Sequence, residues 1–163
     1  MKLWSVILIS VLLCATTSVH ADGVFLEGGL GFHHSTDSQS IFLSYQIDSP
    51  PIFGLNSFYD VALGAWNGQN RNEAIVLAKG LWWNFPRKAY LCIEPGGAYI
   101  RKTTDNLSTH LEFAFRFAVG MRTENIDLSA GYRHFSNGKG IFHWTNTPNF
   151  GENFITLQIG YLL

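Results

Sequence analysis

Beyond residue 21 the sequence holds one cysteine, Cys92, so no intrachain disulfide can form there and stability must come from another source. Cys92 reads as a small apolar residue within a strand. The same part of the chain has no run of roughly 18 apolar residues, which excludes a transmembrane helix. Charge is scarce and balanced, with 11 Lys and Arg against 12 Asp and Glu, and a net charge of −1 offers nothing to nucleic acid. Long repeats, linkers and low-complexity tracts are also missing. Aromatic residues, by contrast, make up 15% of the chain, and its 16 glycines fit a β protein with many turns.

The first residues differ from the rest. Met1-Lys2 precedes an apolar run from Leu3 to Cys14, and a polar stretch closes with Val19-His20-Ala21. This is the pattern of a secretory signal with a small-x-small cleavage site. A lipoprotein signal needs a small residue before its cysteine, and Leu13 stands there. The expected organisation is a cleaved signal peptide over residues 1–21 and one domain over residues 22–163, about 142 residues long.

Eight alternating segments follow: Val24–His33, Ser40–Ile47, Ser57–Trp66, Asn72–Trp83, Ala89–Ile100, His110–Arg122, Ile126–Asn137 and Asn153–Leu163. Turn chemistry separates them at Asp48-Ser49-Pro50-Pro51, Asn67-Gly68-Gln69-Asn70, Asn84-Phe85-Pro86, Thr104-Asp105-Asn106 and Arg122-Thr123-Glu124-Asn125. In the sixth segment Leu111, Phe113, Phe115, Phe117, Val119 and Met121 share a face, opposite Glu112, Ala114, Arg116, Ala118, Gly120 and Arg122. In the eighth, Ile155, Leu157, Ile159, Tyr161 and Leu163 oppose Phe154, Thr156, Gln158 and Gly160.

A soluble barrel would bury the apolar face and wet the other. Here the second face mixes charges with Gly and Ala, as the narrow interior of a small barrel requires, while the first suits lipid. Glu27, Asp60, Glu112, Arg116, Asp127 and Arg133 are candidates for an internal ion-pair network. Segments of 10–13 residues, all but Ser40–Ile47, match tilted strands that span a bilayer better than ordinary soluble strands. The fold expected is an all-β, eight-stranded antiparallel outer-membrane β-barrel, with a soluble calycin-like barrel as the alternative. With both termini on the periplasmic side, the seventh segment runs outward and ends near the outer leaflet.

That segment carries the chemistry. In Tyr132-Arg133-His134-Phe135-Ser136-Asn137-Gly138, His134 and Ser136 are two apart and share a face with Ile126, Leu128, Ala130 and Tyr132. A base and a hydroxyl on an apolar face suggest a nucleophile that works at a membrane. A strongly polar pair facing lipid is costly, which argues for a function. His-x-Ser alone is a weak motif. His134-Phe135-Ser136-Asn137-Gly138, followed by a loop containing Pro148-Asn149-Phe150-Gly151 and a closing strand, resembles the lipid A 3-O-deacylase (PagL) family. The specific likeness covers about Gly131 to Leu163.

The resemblance implies hydrolysis of the ester-linked acyl chain at the 3-position of lipid A, with lipopolysaccharide as partner and with no metal or cofactor. It implies Ser136 as nucleophile, His134 as general base and Asn137 as an oxyanion-hole residue, through its amide or through backbone N–H groups near Gly138. The family's acid is a Glu at the start of the last strand. Ungapped matching of Pro148-Asn149-Phe150-Gly151 puts Asn153 at that position and Glu152 one residue early. Asn153 has the parity of Ile155 and Leu157, the lipid side, whereas Glu152 faces inward unless a bulge turns it. Both readings of the third member stay open, and so does a homodimer. Two other functions are weighed: a non-catalytic outer-membrane barrel for adhesion or envelope integrity, and a soluble lipocalin-like binder of a hydrophobic ligand.

Other features are less specific. His33, His34, His110 and His143 fall at external ends or loops, where cation or phosphate contact competes with plain solvation. Arg71, Arg101, Lys102 and Lys139 are candidates for lipid A phosphates on the same terms. Trp66, Trp82, Trp83 and Trp144 read as belt or loop aromatics, as does Tyr132. Lys79, isolated in an apolar segment, is expected to point inward to a carboxylate.

Overall fold

The computed structural model describes residues 22–138 and 150–163. Eight antiparallel strands close into a barrel in chain order: β1 (Gly23–Gly31), β2 (Gln39–Ile52), β3 (Leu55–Trp66), β4 (Asn72–Asn84), β5 (Ala89–Ile100), β6 (Leu111–Arg122), β7 (Ile126–Ser136) and β8 (Glu152–Leu162). β8 pairs back onto β1 from Gly23↔Leu162 to Gly31↔Phe154, so no edge is left open. No described helix is long and apolar enough to cross a membrane; the strands, 9 to 14 residues long, have the length to do so when tilted.

Alternation puts the two faces where the sequence pattern predicts. Leu111, Phe113, Phe115, Phe117, Val119 and Met121 lie outside, with Glu112, Ala114, Arg116 and Ala118 buried. The exterior carries an apolar band that also includes Leu43, Leu63, Leu77, Leu128 and Leu157. Inside, large rings fit only because glycines face them across the ladder. Phe25, Phe42 and Phe58 are paired with Gly160, Gly64 and Gly80, where any Cβ would overlap the ring.

The lumen is filled in layers, as the width of an eight-stranded barrel allows. Toward one end Phe42 and Trp66 stack on Phe135, Phe154 packs on Trp66, and Ile100 and Leu107 complete the cluster. At the other end Phe58, Trp82, Tyr90 and Cys92 pack together, with the Arg122 guanidinium 3.7 Å from the Trp82 ring. Between them, Arg116 Nε donates to Glu27 Oε2 at 2.7 Å and Arg133 Nε to Glu27 Oε1 at 2.7 Å. The Arg116 guanidinium also pairs with Glu94 and donates to Ser129 Oγ and Gln158 Oε1, both at 2.9 Å. Of the six residues expected in this network, Glu27, Arg116 and Arg133 meet directly. Asp127 pairs with Arg122 at 2.5 Å, while Asp60 and Glu112 form no ion pair among the described residues. Glu94 takes a place the sequence reading did not give it.

Three expectations are corrected. Asp48-Ser49-Pro50-Pro51 is not a turn: β2 continues to Ile52, with a register shift between Ser49 and Ile52 that accommodates two residues lacking an N–H. Ser57 Oγ–H donates to the Pro50 carbonyl at 2.7 Å, and the hairpin tip is Phe53-Gly54, both at positive φ (52° and 78°). Lys79 faces outward rather than inward, because its position has the parity of Ile75 and Leu77. Its ammonium sits 3.9 Å from the Tyr59 ring centre and donates to Ser49 Oγ. Trp66 and Trp82 are lumenal, not belt residues.

The connections 53–54, 85–88 and 123–125 gather at one end with residues 22 and 163, where Leu163 N–H donates to the Asp22 carbonyl at 3.0 Å. The longer connections 32–38, 67–71 and 101–110 gather at the other, with residues 137–138 and 150–151 that flank β7 and β8. This arrangement carries the end of β7 to the loop rim.

Candidate active site

At the rim, strand alternation sends Tyr132, His134 and Ser136 out of the barrel wall and Arg133, Phe135 and Asn137 into it. The β7–β8 register sets Asn153 opposite His134 and Glu152 opposite Phe135. Asn153 therefore shares the outer face with His134, and Glu152 is turned inside.

His134 Nδ1 lies 2.9 Å from Asn153 Oδ1. An amide oxygen only accepts, so Nδ1 is the donor in this bond; in the neutral ring that leaves Nε2 its lone pair, the form a general base requires. Tyr132 O–H donates to the same oxygen at 2.8 Å. The Tyr132 and His134 rings stack with 6.1 Å between centres and 19° between planes, and Phe32 packs on Tyr132 with 5.8 Å between centres. Gly151 closes the lower edge of the imidazole: at its φ of +74°, a Cβ would fall 2.8 Å from His134 Cε1. No hydrogen bond joins Ser136 to His134 among the described residues. The two positions lie about 6.6 Å apart along the backbone.

Behind this face, Glu152 is fully buried and accepts from Ser35 Oγ–H and, at 2.9 Å, from Asn106 Nδ2. Ser35 Oγ in turn accepts the Asn153 N–H at 3.1 Å, and the Asn106 carbonyl accepts the Gly151 N–H at 3.0 Å. The connections 32–38 and 101–110 are thereby knitted to the start of β8. Asn137 is also inside, its Nδ2 donating to Ser108 Oγ at 2.9 Å. Its amide thus lies on the opposite face from Ser136.

The remaining candidates are scattered along the rim. His34 packs on Phe150 at 5.0 Å, His110 Nδ1 meets the Ile100 carbonyl at 2.9 Å, and exposed Arg101 pairs with Glu73 at 2.8 Å. Lys139, His143, Trp144, Pro148 and Asn149 lie outside the described residues, as do residues 1–21. Tyr132, Gly151, Ser35 and Asn106 were missed as site residues. Parity alone pointed to Tyr132, two positions before His134; nothing local in the sequence pointed to Ser35 or Asn106, 117 and 46 residues from Glu152.

Fold and site together define a small membrane β-barrel with a serine, a histidine and an amide on its lipid side at the loop rim. The profile of the family described as lipid A 3-O-deacylase (PagL) matches residues 39–162, and the chain belongs to that family. It is a lipid A deacylase barrel of the bacterial outer membrane. Among solved structures it is similar to one described as the crystal structure of the outer membrane enzyme PagL (TM-score 0.72, 18% identity, covering 86% of this chain and 99% of that one). It is also similar to one described as a de novo designed transmembrane β-barrel (TM-score 0.59, 12% identity, covering 89% and 98%). At these identities the two likenesses speak for the fold alone. No curated protein matches significantly.

Proposed function

We propose that the protein hydrolyses the 3-O-linked acyl ester of lipid A with Ser136 as nucleophile, His134 as base and Asn153 as the group that orients His134. Ser136 Oγ attacks the ester carbonyl carbon while His134 Nε2 takes its proton. Backbone N–H groups near Gly138 receive the oxyanion. Collapse of the tetrahedral intermediate releases the sugar 3-hydroxyl, protonated by His134, and leaves an acyl ester on Ser136. Water, deprotonated by His134, then frees the fatty acid and restores Ser136.

The observation that carries this reading is the 2.9 Å His134–Asn153 bond, made on the same lipid-facing side as Ser136. Asn153 fixes the tautomer as in Cys-His-Asn proteases, without a negative charge to offset the imidazolium. One chain supplies every group, so the reaction does not call for a homodimer. Residues 1–21 fit a leader removed on export.

The test is expression of the wild type and Ser136→Ala in the outer membrane of a host with unmodified lipid A, followed by mass spectrometry of extracted lipid A. Loss of one 3-hydroxyacyl group in the wild type alone is the expected result. Unchanged lipid A beside a folded, heat-modifiable barrel would sink the enzyme reading and leave a passive barrel.

A further inference from the structure

The geometry points to Tyr132 as a positioning residue that sets the His134 tautomer by fixing the Asn153 amide. The inference rests on the Ser136–His134–Asn153 reading above and adds a fourth residue to it.

A carboxylate offers acceptors on both oxygens, so either orientation suits an imidazole N–H. An amide does not: one side accepts and the other donates. Turning the Asn153 amide by a half-rotation would bring Nδ2 to His134 Nδ1. The ring nitrogen would then have to accept, its proton would move to Nε2, and a proton instead of a lone pair would face Ser136. A site built on Asn therefore needs something to select the amide orientation.

The backbone of Asn153 is already held. Its carbonyl accepts from Phe32 N–H at 3.1 Å and its N–H donates to Ser35 Oγ at 3.1 Å. What these contacts leave open is the side-chain torsion. Tyr132 O–H donates to Oδ1 at 2.8 Å, so two donors converge on one oxygen. A phenol is a stronger donor than acceptor, which weights the pair toward the oxygen-in orientation. Tyr132 is itself fixed by parity on β7, by Phe32 and by stacking on His134. A belt aromatic would act through its amphipathic ring, with the O–H turned to water or headgroups rather than to Asn153.

The experiment is a double-mutant cycle on detergent-solubilised full-length protein with purified lipid A, using Tyr132→Phe, Asn153→Asp and the pair, each scored first for a heat-modifiable barrel. Tyr132→Phe is expected to lower kcat about 10- to 100-fold with KM unchanged. In the Asn153→Asp background, where no orientation needs selecting, the same change is expected to cost less than about 3-fold. An equal loss in both backgrounds, or no loss with Asn153 in place, would overturn the proposal. A second readout is independent of activity: ¹⁵N shifts of His134 should report Nδ1–H in the wild type and a mixture of tautomers in Tyr132→Phe. An unchanged tautomer in the variant would also overturn it. A wild type with Nδ1–H but no deacylation would instead indict the proposed reaction and leave the positioning role standing.

Discussion

Gly151 and His134 touch across the β7–β8 seam so closely that a single methyl group would separate them: a Cβ on Gly151 would lie 2.8 Å from His134 Cε1 and 2.9 Å from the Phe135 carbonyl. Gly151 also holds a φ of +74°, which L side chains rarely adopt. Gly151→Ala is therefore expected to cost roughly 1–2 kcal/mol of stability from backbone strain. It should lower deacylase kcat more steeply than stability, because the imidazole has to move. Urea titration of the heat-modifiable form and kinetics on the same preparation measure the two effects separately.

Asn153 and Glu152 are neighbours with opposite duties, and their alanine variants should separate. Asn153→Ala is expected to reduce kcat by about 10² to 10⁴ with little change in barrel stability, since it removes the acceptor of the His134 proton. Glu152→Ala strips the partner from Ser35 and Asn106 inside the barrel and is expected to destabilise by roughly 1.5–3 kcal/mol. Its residual activity in the folded fraction should stay above that of Asn153→Ala. Mass spectrometry of lipid A together with unfolding midpoints checks both halves.

Asn137 offers a test of where the oxyanion is held. Its side chain is inside, on Ser108, so Asn137→Ala is expected to lower kcat by less than about tenfold if backbone N–H groups form the hole. A drop of about 10² to 10³ would mean that the amide swings out to the substrate. Steady-state kinetics on a short-chain ester substrate is enough to decide.

Arg116 holds Glu27, Glu94, Ser129 and Gln158 at once in the middle of the lumen. Arg116→Ala leaves two buried carboxylates short of a cation, and a loss of roughly 3–5 kcal/mol is expected. Arg133 still faces Glu27 and retains part of the network. The urea midpoint of the folded barrel is the measurement, and the outward-facing site should keep its activity in the fraction that folds.

Strand number, direction and face were legible in the sequence because a barrel wall has period two, and one residue of error would bury every lipid-facing side chain at the wrong side. Phe113, Phe115 and Phe117 against Glu112, Ala114 and Arg116 favoured the apolar face outward, with a soluble barrel of the opposite sense as the alternative. The same parity placed Asn153 on the face of His134 and Glu152 on the other. Local turn chemistry was a poorer guide. Two prolines at Pro50-Pro51 usually end a strand, but a register shift absorbed them and β2 ran on.

The residues brought to the site from a distance were not legible. Ser35 and Asn106 reach Glu152 from other connections, whereas Trp66, with the parity of Asp60, could have been placed inside by alternation and was read as a belt aromatic on residue type alone. By itself the sequence determined the eight-stranded wall, its lipid face and the placement of His134, Ser136 and Asn153 on it, because alternation is a local property of a β-strand. Which partners fill the lumen, how Tyr132 and Gly151 bracket the imidazole, and what holds Glu152 inside were decided only by closure of the barrel, because those contacts join residues that no local periodicity relates.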